Sequence, residues 1–434
     1  MLLTKLFPED HPDRRTLADE VHARPSEAVD TPGRISYVAV LIDPDDRGRE
    51  LQHLEALCRR FSLPSPSPQD NHYRGEIPGL RIKWERHGEF SGYTVLAAGL
   101  GEVAFAETAA AALGAEWWQA IPGPTVAAVH VEVAVLDDDD LRPPRVVQAF
   151  AGRDVVASSI AEEAARVYTD FRIQADGFSR FVLLNARLTR EQTGRTVQRL
   201  IEIEAYRLLS LLALPIARRQ SPRIQQIERA LATLTDGMAR GGGDDEVLLQ
   251  EIMRLAAEVE SGLSASQFRF GACRAYFELV QRRIAELRET RLPGLQTLEE
   301  FMARRLTPAV STVNNVSARL SGLSERVSRA SGLLSTRVDI NREQQNQALL
   351  ASMDRRAKMQ LRLQQTVEGL SVAAIVYYLV GLVGYLAKGV KAAGVPLDAD
   401  LAIGVAVPLL ALSAIVVLRR AKRRALAHGA KDPT

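Results

Sequence analysis

The chain has 434 residues, with 55 Lys and Arg against 53 Asp and Glu, and two cysteines. That length allows more than one domain and a sizeable buried core. The balanced charge argues against a nucleic-acid-binding surface. Cys58 and Cys273 are too far apart for a thiol metal motif, which points to a reducing compartment without a disulfide framework.

The N-terminus reads MLLTKLFPEDHPDRR. Its apolar stretch is too short for a signal-peptide core, so the N-terminal part is expected to remain in the cytoplasm. Residues 11–25, HPDRRTLADEVHARP, bring together His11, Glu20, His22 and Arg24. These side-chain types suit a metal or a phosphate group. Glu20 and His22 share a face only in a strand, and no third ligand is nearby, so a structural role is the first reading and a ligand motif the sharper one.

An apolar run at 35–43 predicts a strand, followed by a helix over 45–61 and a proline-rich loop at 62–70. Further strands are expected at 80–86, 92–97, 124–136, 153–158 and 178–185. A helix holding Trp117 and Trp118 is expected over 105–120. Together they define a cytoplasmic α/β domain over residues 1–188. The acidic run 137–140 reads as a solvated loop, or as a place to attract Mg²⁺ or Ca²⁺ at a subunit boundary. A helical region, residues 189–308, follows, with helices to about 214 and over 222–239, 245–260 and 264–289.

No proline occurs between Pro308 and Pro396. The segment predicts one long stalk helix, residues 309–368, running on into the apolar stretch that follows it. Val313, Val316, Leu320, Leu323, Val327, Ala330 and Leu334 recur in heptad spacing. This is either a coiled-coil seam or a face packed on the chain's own helices. Farther along, Asn341, Gln344 and Gln345 fall in a polar stretch that would fix register or line a wet lumen. A helix of this length and pattern predicts a homo-oligomer.

Two uncharged apolar runs follow, 369–387 and 401–418, each long enough to cross a hydrocarbon core of about 30 Å. A short loop, 388–400, joins them, and a basic tail, 419–434, ends the chain. Arg355, Arg356, Lys358 and Arg362 precede the first run, and Arg419, Arg420, Lys422, Arg423 and Arg424 follow the second. The positive-inside rule then places both termini in the cytoplasm of an inner membrane. In the first run Ser371, Ala374, Tyr378, Gly381 and Tyr385 share one small, hydroxyl-bearing face, suited to helix packing or to a pore lining. Asp398 and Asp400 in the loop read as solvated charges or as an ion-attracting ring.

The sequence contains no Walker loop, GxGxxG, HExxH or GxSxG. It therefore predicts a non-enzymatic membrane protein without a cofactor, a divalent cation being the one ligand its carboxylates suggest. The leading expectation is an oligomeric scaffold or sensor on a two-span anchor. The alternative is a cation channel or transporter whose pore is lined by residues 369–387.

HPDRRTLADEVHARP, EWWQAIPGP and LLSTRVDINREQQNQALLASMDRRAKMQLRLQQTVEGLSVAAIVYYLVGLVGYL resemble the motifs of a bacterial membrane-anchored family, domain of unknown function 3422. That resemblance implies location and fold, and no activity. The order of α/β domain, stalk helix, two spans and basic tail also resembles CorA-type Mg²⁺ transporters. Those are pentamers whose first span lines the pore and ends in a Gly-Met-Asn signature. The corresponding stretch here, GLVGYLAKG, lacks that signature.

Overall fold

The computed structural model describes residues 9–15, 17–18, 26–137, 140–241, 244–392, 394 and 398–429. The chain divides into two compact units, Met1–Leu333 and Leu334–Thr434.

The first unit is built on one sheet. Its strands are β1 (Gly33–Leu41), β2 (His72–Ile77), β3 (Leu80–Arg86), β4 (Phe90–Ala98), β5 (Thr125–Val135), β6 (Val156–Ile160), β7 (Ala165–Thr169), β8 (Ser179–Asn185) and the two-residue β9 (Thr290–Arg291). Among the described residues the strand order is β2-β3-β4-β1-β5-β8-β7-β6-β9. β5 and β8 run parallel, and the other neighbours are antiparallel. β1 and β5 lie at the centre, and their near-continuous apolar sequences are buried on both faces.

Helices cover both faces. On one face α1 (Arg47–Arg60) packs over Val38, Ile82, Trp84, Tyr93 and Val95. The short α2 (Ala115–Gln119) lies beside it, and α3 (Pro144–Phe150) covers Tyr168, Val182 and Leu184. Two buried polar groups on this face, Glu50 and His130, are well paired. Glu50 is fully buried and accepts from Trp84 Nε1 at 3.0 Å, Tyr93 Oη at 2.8 Å and Arg47 Nη1 at 3.1 Å. His130 shares a 2.8 Å hydrogen bond with Ser36 and stacks on Phe178 with ring centroids 3.8 Å apart.

The other face carries α4 (Arg190–Leu211) and the last third of α6 (Asp245–Leu287). α4 starts at a capping box in which Thr189 and Gln192 satisfy each other's backbone amides. α5 (Ala213–Arg240) turns back against α6. α7 (Leu298–Arg305), also capped by a box at Thr297, seats Phe301 on Phe171 at 4.5 Å. α8 (Thr307–Ala392) then begins in this unit and continues into the second, which ends with α9 (Ala399–Gly429).

Several elements differ from the sequence expectation. Residues 105–120 form a 3₁₀ turn and the short α2, and do not make one helix. The helices expected at 245–260 and 264–289 are one helix of 43 residues with Gly262 buried inside it. β2, β7 and β9 have weak strand patterns of their own and exist by pairing with neighbours. The expected long helix is continuous through its glycines. Of the two readings of the heptad face, the chain takes internal packing from Val313 to Ala330. Those apolar positions are buried, Leu320 reaches Gly262 of α6, and Arg319 pairs with Glu228 of α5 at 2.7 Å.

Candidate functional site

The sequence-derived candidates fall in different places. His11 is exposed, its Nδ1 accepting from the Asp13 amide at 3.2 Å. Glu20, His22 and Arg24 lie outside the described residues, as do Asp138 and Asp139 of the acidic run. Asp398 is exposed and accepts the Asp400 amide at 3.1 Å, as a residue opening a helix does. Asn341, Gln344 and Gln345 are exposed on α8. Among the described residues no group of three or more His, Cys, Asp or Glu side chains is placed to hold a metal ion.

In the second unit α8 and α9 form a hairpin whose two apolar stretches are long enough to cross a membrane, and almost none of either is buried. The contact between the helices uses the face of Val376, Val380, Val383, Gly384 and Ala387. Gly384 and Ala387 are buried, the valines are half-buried, and Ile403 Cδ1 lies 3.0 Å from where a Gly384 Cβ would be. Ser371, Ala374, Tyr378, Gly381 and Tyr385 occupy a different face, and all are exposed. Tyr378 is 75% and Tyr385 77% exposed. That face extends upstream in unbroken heptad spacing through Val367, Gln364, Gln360, Ala357, Met353 and Leu350, again all exposed. Every position of this seam is thus left uncovered by the described residues.

The first unit holds a cavity of about 310 Å³ between the sheet and α4. Its floor follows from strand alternation. Ile82 and Trp84 of β3 point into the core beneath α1, so Lys83 and Glu85 point to the opposite face, under α4. On β1 the same alternation sends Tyr37 into the cavity, and on β4 it sends Phe90 and Thr94. Gly92, between those two, makes room for Tyr37, whose Oη lies 2.9 Å from where a Cβ would stand. The roof is α4, with Val197, Ile201, Glu202 and Tyr206 facing down, and Arg283 arrives from α6. A short segment, Glu27 to Val29, closes one side. It crosses α4 so closely that a Cβ on Gly194 would be 1.7 Å from the Glu27 carbonyl oxygen.

The lining is charged although its floor is nearly buried. The Lys83 ammonium sits 2.9 Å from Glu85, and the two side chains are 6% and 13% exposed. Glu202 pairs with Arg283, which is also bonded to Glu286 at 2.9 Å. Burial opposes the charge on Arg283, but the two carboxylates outweigh it and raise its pKa. Glu202, Gln198 and Arg283 also line an outer groove with Arg199 and Glu286, so the pair stands at the cavity's mouth. Burial, with Tyr206 and the carboxylates of Glu85 and Glu202 nearby, pushes the Tyr37 phenol well above its ordinary pKa. Tyr206 stacks on Tyr276 at 5.5 Å, and the Tyr276 hydroxyl donates to Glu89 at 2.7 Å.

Sequence reasoning missed this cavity. The run LRIKWER has charged residues at alternate positions, a pattern that reads as a strand with one solvated face. The available signal was the hydroxyl of Tyr37 inside the apolar run of β1. Ser26 and Glu27, at the outer groove and the cavity, follow Pro25 of the segment 11–25 directly in the chain.

Fold and geometry define an α/β sheet domain followed by long helices, ending in two exposed apolar helices. The chain belongs to the family described as protein of unknown function DUF3422, whose model matches residues 9–425. No curated protein and no solved structure matches it.

Proposed function

We propose that this chain is an integral inner-membrane protein that assembles as a parallel homo-oligomer. The α8–α9 hairpin is its anchor, and the α/β unit is a cytoplasmic scaffold or sensor. The observation that carries this reading is the exposed seam from Leu350 to Tyr385. Upstream of the apolar run, Leu350, Met353, Ala357 and Val367 are exposed to water in heptad register, which is costly on a lone helix and becomes favourable when an identical helix covers them. Copies inserted with the same charge asymmetry are parallel, so like positions meet. Gln360 and Gln364 precede the apolar run and act as polar seam positions that fix register. Within the run, the hydroxyls of Tyr378 and Tyr385 require a partner in hydrocarbon, and the hairpin's own contact leaves them free.

The test is mass measurement in nanodiscs together with crosslinking. Ala357→Cys, on the seam, should give disulfide-linked dimers on oxidation, whereas Lys358→Cys should not. The two native thiols, Cys58 and Cys273, are buried and should not interfere. A monomeric mass at every protein concentration would overturn the assembly.

A second reading, cation conduction, has one observation in its favour. The seam changes from apolar at Val367 to hydroxyl-bearing at Ser371, Tyr378 and Tyr385 as it enters the apolar run. Liposomes containing the protein should then pass Mg²⁺ or K⁺, and the double change Tyr378→Leu, Tyr385→Leu should reduce that flux. Absence of flux for either ion across voltage would remove this reading and leave the anchored scaffold.

A further inference from the structure

We propose that the cavity beneath α4 binds a small zwitterion of the α-amino-acid class, with Lys83 receiving its carboxylate and Glu202 its ammonium group. The proposal rests on the sensor half of the reading above and supplies its ligand.

Lys83 is 5% exposed, and among the described residues its ammonium has one partner, Glu85. An ammonium has three donors, and a buried one without further partners is costly. The apolar side chains of α4 above it, Val197 and Ile201, offer no acceptor. A carboxylate entering the cavity would supply what is missing. Across the cavity Glu202 accepts from Gln198 at 2.8 Å and from Arg283, and each oxygen retains a lone pair. Tyr37 adds a hydroxyl with no hydrogen-bond partner among the described residues, and its ring and that of Tyr206 offer π faces to a cation.

The arrangement of charge selects the ligand class. Each wall carries one positive and one negative group, Lys83 with Glu85 on the floor and Arg283 with Glu202 on the roof, and the Glu27 carboxylate at the side is held by Arg74 and Arg81. A ligand with a single charge would satisfy one group and leave an excess charge beside groups that are already partly desolvated, which is unfavourable. A ligand with one charge of each sign engages both walls and leaves the site neutral. A volume of about 310 Å³ lies at the lower end for small-molecule sites, which fits a metabolite of amino-acid size.

The experiment uses the full chain in nanodiscs, with the common α-amino acids offered one at a time. Thermal shift identifies binders, and calorimetry measures affinity. At least one amino acid should raise the Tm in a dose-dependent way. Its methyl ester, lacking the carboxylate, and its N-acetyl form, lacking the ammonium, should each bind at least tenfold more weakly. Lys83→Met should lose at least tenfold in affinity, and Tyr37→Phe several-fold with an unchanged fold. Should Lys83→Met fail to fold, Tyr37→Phe and the derivatives decide the matter. The inference is overturned if no amino acid shifts the Tm, or if either derivative binds as well as its parent. Unchanged affinity in folded Lys83→Met also overturns it. The oligomeric mass of the same sample separates the two readings: an intact oligomer without binding removes the ligand and leaves the anchored assembly.

Discussion

Ile403 of α9 lies against Gly384 of α8, with its Cδ1 3.0 Å from the position a Cβ would take. The hairpin therefore closes on a glycine, and helix-pair contacts in apolar surroundings depend on such small residues. Gly381, one turn earlier, has open space around it within the chain. Gly384→Leu should split the hairpin, lowering thermal stability in detergent by the overpacking cost of about 1–3 kcal/mol. Gly381→Leu should leave the hairpin intact and weaken self-association. Denaturation curves and oligomer mass, measured on both variants, separate the two faces.

Glu50 tests the core beneath α1. With three donors on one fully buried carboxylate, Glu50→Ala should destabilise the first unit by about 3–5 kcal/mol, since it removes the counter-ion of Arg47 and leaves two buried aromatic donors without an acceptor. Glu50→Gln keeps an acceptor for Trp84 and Tyr93 and should cost about 1–3 kcal/mol. Urea denaturation followed by tryptophan fluorescence reads both.

A pH dependence follows from His130. Burial, only partly offset by Asp176, lowers its pKa from 6.5 to about 4. The unfolded chain then takes up a proton near pH 6.5 that the folded chain refuses until about pH 4. Stability from this residue is complete above pH 6.5, declines as the pH falls through that window, and levels off below pH 4. The loss is about 3 kcal/mol in all. His130→Asn should flatten this part of the stability–pH profile, while a slope unchanged by the substitution would contradict the assignment.

Gly194 marks where the Glu27–Val29 segment crosses α4. A Cβ there would collide with the Glu27 carbonyl oxygen, and backbone cannot yield as a side-chain tip does. Gly194→Ala should release the segment, cost roughly 1–3 kcal/mol, and expose a new proteolytic site near residue 27. Limited proteolysis with mass mapping checks this.

Much of the architecture is legible in the sequence because its signals are local. The apolar runs of β1 and β5, the capping box at Thr189 and the proline-free stretch that becomes α8 each specify an element from neighbouring residues. β2 is not legible, because HYRGEI owes its strand to pairing with β3. The cavity is not legible either. Whether the charged alternation of Lys83 and Glu85 faces water or a helix depends on where α4 returns, roughly a hundred residues later in the sequence.

The sequence by itself determined the two apolar helices, the long helix that leads into them and the α/β character of what comes before, because length, charge flanks and periodicity act over short spans. Only the tertiary structure decided which heptad faces the chain buries for itself. The face from Val313 to Ala330 is covered by α5 and α6, and the face from Leu350 to Tyr385 is left open. The two have the same spacing. Heptad spacing carries no information about whether the chain supplies a helix to cover a face.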